Sequence, residues 1–364
     1  MAAQLALTVV ARLSVPARST GILTNLKKGV FISSLTRTIC SGLLERSFST
    51  SSRLKGRTHV DWKAKGDVAV VRVNEPNSVM NTWTSHMQKD MMEVMDEIWT
   101  TDSVGSAVVI STKPHCFITG MDLKTIKSCK TEEEATLLSR QWQGMMKKIE
   151  CSPKPIVAAI SGWCLNAGLE FATACQYRLA TGGDMTSLVS REVRMGLMPS
   201  AGGTQRLTEL VGPYHALQIM LEGHRIQADA AKKMGLVHKV VDTTDHKYFE
   251  DVAVSCARGI VKKSIPLTPQ KEWSKIAHDF YYSFPKVRQD MYRNTWNTVI
   301  SKETFCSAPL KIIETVRIGV EQGSAAGYRA ESWKFGELVT NDVTSALIRL
   351  FRNLTIMHLK KRQQ

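Results

Sequence analysis

Apolar positions along this chain fall into two distinct periods. Val68-Ala69-Val70-Val71-Arg72-Val73 is a nearly continuous apolar run, closed by the turn-forming Asn74-Glu75-Pro76-Asn77, and predicts a strand. Ala107-Val108-Val109-Ile110-Ser111 and Ile156-Val157-Ala158-Ala159-Ile160 repeat the pattern. Runs with no polar alternation suit strands buried on both faces of a sheet. Between them the spacing becomes helical. Met87, Met91, Met92, Val94, Met95 and Ile98 make a stripe over residues 84–99. A second helix is predicted over 132–150 and is stopped by Pro153 and Pro155. Strand and helix alternate to about residue 240, which predicts an α/β domain with helical crossovers. Beyond about 246 the strand signals fade. Residues 246–352 read as mostly helical, with turns near Pro266, Pro285, Pro309 and Gly323. No apolar run approaches the roughly 20 residues of a membrane-spanning helix, so a soluble body is expected.

Charge changes this picture at one end only. The net charge is +15, yet nine basic residues (Arg12, Arg18, Lys27, Lys28, Arg37, Arg46, Arg53, Lys55 and Arg57) stand against one acid, Glu45, within residues 1–58. The rest of the excess is spread without a dense basic block, so no nucleic-acid partner is expected. The Arg-, Ser- and Thr-rich, nearly acid-free opening reads as a mitochondrial transit peptide over residues 1–57. The expected division is that leader, a core over 58–245 and a helical region over 246–364. The eight cysteines contain no CxxC pair and are irregularly spaced, so neither a disulfide framework nor a zinc site is suggested. Cys164 and Cys175 sit in apolar surroundings and read as packing residues.

Three pieces carry candidate chemistry. Phe117-Ile118-Thr119-Gly120-Met121-Asp122 is a turn directly after a strand. Ser161-Gly162-Trp163-Cys164-Leu165-Asn166-Ala167-Gly168-Leu169-Glu170 feeds an apolar strand through small residues into a helix with an acid in its first turn. Small residues there let backbone N–H groups approach a ligand, and the helix start favours negative charge. The third piece runs from Ser190 through Glu192 to Pro199-Ser200-Ala201-Gly202-Gly203-Thr204-Gln205-Arg206. It adds a second carboxylate before another small-residue turn, without the GxxxxGK[ST] of a nucleotide loop. Two carboxylates can hold one water and divide the work of base and acid. Taken singly, each piece has an ordinary structural explanation.

In this order and spacing the pieces resemble the crotonase (enoyl-CoA hydratase/isomerase) superfamily, and within it the hydratase part of mitochondrial trifunctional-enzyme alpha subunits. Lys154-Pro155-Ile156-Val157-Ala158-Ala159-Ile160, Ala201 to Leu207, Ala230 to Val237, Ala308 to Glu314 and Glu321 to Tyr328 carry the resemblance further along the chain. It implies a crotonase-like β-β-α spiral with a C-terminal helical extension. It implies Glu170 and Glu192 as the catalytic carboxylates that hold the water. The Met121 and Ala167 N–H groups become an oxyanion hole, with Gly120, Asp122, Gly168 and Ser200 as substrate-binding positions. No metal and no NAD are implied, and coenzyme A enters as part of an acyl-CoA substrate. The implied setting is fatty-acid oxidation in the mitochondrial matrix. Expected partners are further copies of the chain or a beta-type thiolase subunit, with peripheral contact to the inner membrane through the basic, amphipathic stretch from Leu347 to Lys361. The alternative is a catalytically weakened or inactive paralogue that serves as a binding or structural subunit. The departures from the family pattern point to that alternative. They are Asn166-Ala167-Gly168 in place of three glycines, Arg191 in place of proline, and Ser200 in place of glycine. Arg191 is expected to pair with a carboxylate and lower its pKa.

Overall fold

The computed structural model describes residues 56–361, apart from 77, 185, 269–272 and 303–305. Apart from its last two residues, the expected leader therefore lies outside the described residues. Among those two, Arg57 forms an ion pair with Glu97 at 2.9 Å.

The continuous apolar runs become the middle of a six-stranded sheet. β1 (Val60–Lys65) and β2 (Val68–Val73) form an antiparallel hairpin. β3 (Ser106–Ser111), β5 (Ile156–Ile160), β7 (Tyr177–Thr181) and β9 (Lys239–Val241) continue in parallel, giving the order β1-β2-β3-β5-β7-β9. Successive residues of each strand enter opposite faces. Ala69, Val71, Val109 and Ala158 pack with helix α1 (Ser85–Thr100), through Met87, Met91, Val94 and Met95. Val68, Val70, Val108 and Val157 pack with Phe249, Ala253 and Ala257. Both faces are thus covered, as the uninterrupted apolar runs require. The second cover is the helix His246–Val261, the first element beyond residue 245.

A second sheet escaped the sequence reading. β4 (Cys116–Ile118), β6 (Trp163–Leu165) and β8 (Ser187–Val189) are three residues long and pair in parallel in the order β4-β6-β8. Three residues are too few for a period to be read. Each follows a strand of the large sheet and leads into a helix or turn. β3-β4 leads to α2 (Leu123–Ser128) and α3 (Glu132–Glu150). β5-β6 leads to α4 (Ala167–Ala174). β7-β8 leads to a 3-10 turn at Glu192–Met195 and then α5 (Gly203–Val211). This is the expected β-β-α spiral, and the C-terminal end of the small sheet gathers the three sequence pieces.

The remaining helices are α6 (Pro213–Glu222), α7 (Ala228–Met234), α8 (His246–Val261), α9 (Trp273–Tyr281), α10 (Pro285–Ser301), α11 (Ala308–Gln322), α12 (Ser324–Val339) and α13 (Asp342–Lys361). Pro285 and Pro309 stand in the first turns of α10 and α11, where a missing N–H costs nothing. α11 and α12 form a hairpin that packs on α3 and α5. The Gln205 side chain of α5 is wedged into it. A Cβ on Gly319 or Gly327 would lie 1.8 or 2.1 Å from Gln205 Oε1, so glycines open the notch. Of the stretch assigned to membrane contact, Ile348 is buried and Leu350 is exposed, while the side chains of 354 and 357 lie outside the described residues. Among the described residues no helix is long and apolar enough to cross a membrane.

Candidate active site

β4 delivers the first turn. Thr119 N donates to Asn81 O at 2.8 Å, and Trp83 N donates to Gly120 O at 2.7 Å. The fully buried Asn81 also donates Nδ2 to Phe117 O at 2.9 Å, fixing this segment from a neighbouring loop. Asp122 accepts from Lys124 N at 3.0 Å and so caps α2.

β6 delivers the second turn. Asn166 adopts φ +51°, a left-handed value that costs a side-chain-bearing residue about 1 kcal/mol and that Asn tolerates better than most. It is offset by three bonds. Asn166 N donates to Val189 O at 2.8 Å, Asn166 O accepts from Glu170 N at 2.9 Å, and Oδ1 accepts from Arg191 N at 2.8 Å. The last bond ties the Glu170 helix to the Glu192 turn. Of the two positions that depart from glycine, only 166 needs a left-handed backbone, while Ala167 begins the helix. The two turns meet backbone to backbone. A Cβ on Gly120 would lie 3.2 Å from Asn166 Cβ, and one on Gly168 would lie 2.1 Å from Ile118 O. Among the described residues no hydrogen bond runs from the Met121 or Ala167 N–H.

The carboxylates come together behind these turns, and there are three of them. Glu170 Oε1 accepts from Ala201 N at 2.7 Å and from Gly203 N at 2.8 Å. Glu331, from α12, accepts from Gly202 N at 2.6 Å and from Thr204 N at 3.0 Å. It also accepts from Gln143 Nε2 at 2.9 Å and Thr204 Oγ1 at 2.5 Å. Consecutive N–H groups at the start of α5 thus turn alternately to two glutamates. These are the groups a helix N-terminus leaves unpaired. Gly202, at φ +99°, is the cap residue of that helix. From the other side Arg206 Nη1 donates to Ala201 O at 2.7 Å. Ser200 is buried in the same loop, and its carbonyl accepts from Ser139 Oγ at 2.6 Å. Glu331 was missed by the sequence reading. Its signal is an acid on the buried stripe Gly327, Glu331, Phe335 and Leu338 of α12.

Glu192 accepts from Ser190 Oγ at 2.7 Å. Burial pushes its pKa up to about 7, opposed by the Ser190 bond, with the charge of Glu331 adding to the rise. Glu170 is pushed well above the usual carboxylate range by burial first, then by the charges of Glu331 and Glu192. Only 4 % of Glu170 and 8 % of Glu192 remain exposed. The expected pairing of Arg191 with a carboxylate does not form among the described residues. Its guanidinium lies over the Trp163 ring at 5.9 Å, beside that of Arg225 at 5.6 Å. Glu192, its chain neighbour, is accordingly raised rather than lowered.

This burial makes a stability prediction. The native state holds the Glu192 proton more tightly than the unfolded chain, whose carboxyl titrates near 4.5. The resulting stability is fully present below about pH 4.5 and is lost as pH rises through about 7. Glu192→Gln removes the dependence, so the variant gains on the wild type as pH rises from 5 to 8, by on the order of 3 kcal/mol. Denaturant unfolding at several pH values measures this. A difference between the two chains that stays flat with pH contradicts it.

Comparison with known proteins agrees with this architecture. Residues 63–298 match the family described as Enoyl-CoA hydratase/isomerase. Among solved structures, DspI of Pseudomonas aeruginosa is 26% identical, with 58% of this chain and 84% of that one covered and a TM-score of 0.52. An enoyl-CoA hydratase from Bacillus anthracis is 24% identical, covering 73% and 98% at a TM-score of 0.51. An enoyl-CoA hydratase/isomerase from Xanthobacter autotrophicus Py2 is 21% identical, covering 81% and 97% at 0.52. The last two resemblances, at lower identity, speak for the fold. The family match spans both turns and both Glu170 and Glu192, and on that ground the chain belongs to the enoyl-CoA hydratase/isomerase family.

Proposed function

We propose that the protein is a 2-enoyl-CoA hydratase of mitochondrial fatty-acid β-oxidation, related to the hydratase part of trifunctional-enzyme alpha subunits. The observation that carries this reading is the meeting of Glu170 and Glu192 behind two turns whose Met121 and Ala167 N–H groups have no partner among the described residues. The thioester oxygen of a 2-enoyl-CoA accepts from those two N–H groups. A water lies between the carboxylates. One takes a proton from the water as its oxygen bonds to the β-carbon. The alkene electron pair moves toward the thioester oxygen, and the returning pair collects a proton from the other carboxyl at the α-carbon. A single oxyanion donor is worth on the order of 3 kcal/mol in such a step.

Burial and mutual repulsion support this division. Both effects favour a proton held within the cluster, which suits one carboxyl as acid while another acts as base. Adding water involves no net oxidation, so the reaction calls for no NAD, and the two carboxylates supply the acid and base that the step needs. Gly120 and Gly168 let the two turns approach closely, which sets the spacing of the N–H groups that would receive the thioester oxygen, with Asp122 and Ser200 as further substrate-binding positions. A matrix location, self-association or a beta-type thiolase partner, and peripheral inner-membrane contact complete the proposal. A weakened paralogue is the second reading, favoured by the strained Asn166 and the near-sealed carboxylates.

Loss of the conjugated enoyl-thioester absorbance, followed with short- and long-chain 2-enoyl-CoA, tests it. The wild type is expected to hydrate at least one of them, and Glu170→Gln/Glu192→Gln none. A wild-type rate no greater than that of the double variant refutes the hydratase and leaves the second reading.

A further inference from the structure

The third carboxylate has no part in the chemistry above, yet it is fully buried and holds four donors. Burying such a group is costly unless its partners are well placed. Its donors are the even-numbered N–H groups of the same peptide run whose odd-numbered ones hold Glu170. Moving the Gly202 and Thr204 N–H groups therefore moves those of Ala201 and Gly203. We propose that Glu331 is a positioning residue for the two-carboxylate site, a clasp by which α12 sets the N–H groups that hold Glu170.

The clasp is braced on every side. Gln143 comes to Glu331 from α3, and Thr204 reaches it from α5. The charged and titratable groups around it are Glu170 on α4, Arg206 on α5 with its partner Glu150 on α3, Tyr328 on α12 itself, and Glu192. Arg206 sits over the Tyr328 ring at 5.6 Å while it holds Ala201 O, so the opposite side of the loop is anchored too. Glu331 acts on Glu170 in two opposed ways. Its negative charge favours a protonated Glu170, whereas the N–H groups it positions favour the ionised form. The charge outweighs either N–H bond taken singly.

Two substitutions separate these effects. Glu331→Gln removes the charge and keeps the size, and should lower the Glu170 titration midpoint by on the order of one pH unit. Glu331→Asp keeps the charge but draws back from Gly202 and Thr204, and should raise that midpoint. A residue that merely fills space would lower the melting temperature in both without opposite displacements. The midpoint is read by NMR of carboxyl-labelled glutamates in the full chain, with the Glu170 signal assigned by its loss in Glu170→Gln. This readout needs no turnover, so it stands even if the hydratase assay fails, although the catalytic meaning of the clasp rests on that proposed function. If the protein hydrates enoyl-CoA, the acid limb of kcat/KM should follow the same two directions, with kcat lowered about tenfold in Glu331→Asp and KM little changed. Midpoints that stay in place, or move the same way in both variants, overturn the proposal. If Glu331→Gln does not fold, the upward displacement in Glu331→Asp decides alone, and its absence overturns the clasp.

Discussion

Glu170→Gln should slow hydration of 2-enoyl-CoA by roughly 10²- to 10⁴-fold, the range expected when one general acid–base partner is removed. The substitution is nearly isosteric. The amide oxygen can still accept from Ala201 N and Gly203 N, the two bonds that orient the native side chain. What disappears is a group that exchanges protons. The folded state should be no less stable near neutral pH, because a buried carboxyl under like-charge repulsion has been replaced by a neutral group. Glu192→Gln should cost a similar factor. The double variant should fall well short of the product of the two, since residues acting as a unit are not additive. Steady-state rates alongside thermal unfolding measure both quantities. A loss below tenfold for Glu170→Gln, in a folded protein that does turn over, would remove Glu170 from the chemistry.

Gly168→Ala should damage the fold itself. Its Cβ would lie 2.1 Å from Ile118 O, 2.7 Å from Ile118 C and 2.9 Å from Ile118 Cβ. Two of these are backbone atoms of β4, which cannot swing aside as a flexible side-chain end can. Either β4 or the start of α4 must move, at a cost on the order of 3 kcal/mol and a fall in melting temperature of roughly 5–10 °C. The same displacement separates Met121 from Ala167, so hydration should fall further than the loss of folded protein explains. Gly144→Ala is the control. It lies mid-helix in α3 with nothing within 4 Å of its Cβ position, and should stabilise by about 0.5–1 kcal/mol. Calorimetry that finds Gly168→Ala as stable as the wild type would contradict the close approach.

Three strands of the large sheet, β2, β3 and β5, were legible because they are buried on both faces and read as plain apolar runs, whereas β7, with Arg178 in it, and the three-residue β9 were not singled out. Helix α3 was legible to the residue, between the Thr131 cap and Pro153. β1 was not. Its sequence Val-Asp-Trp-Lys-Ala-Lys belongs to an edge strand that shows polar side chains to water. The strands of the small sheet were too short to leave a pattern, although they lead into the turns that carry Met121, Ala167 and Glu192. The site itself divides in the same way. Glu170 and Glu192 stood out because each adjoins a turn of small residues. Arg191 was misread because a guanidinium beside a carboxylate suggests a pair, whereas the ring of Trp163, 28 positions earlier, offers a surface already shared with Arg225. Glu331 lies 161 residues beyond Glu170 in a helix with no turn motif, and only the folded chain shows that both serve one loop.

That loop has a consequence for how the molecule is made. Its N–H groups are claimed by Glu170, 31 and 33 positions earlier, and by Glu331, 127 and 129 positions later. During synthesis, which proceeds at roughly 5–20 residues per second, the half facing Glu170 can close long before its counterpart exists. The stretch that matches the family ends at residue 298, short of Glu331. A growing chain that already contains both turns and both catalytic candidates would thus carry a loop held from one side only. Competence to hold Glu170 in place arrives only once α12 has joined the loop.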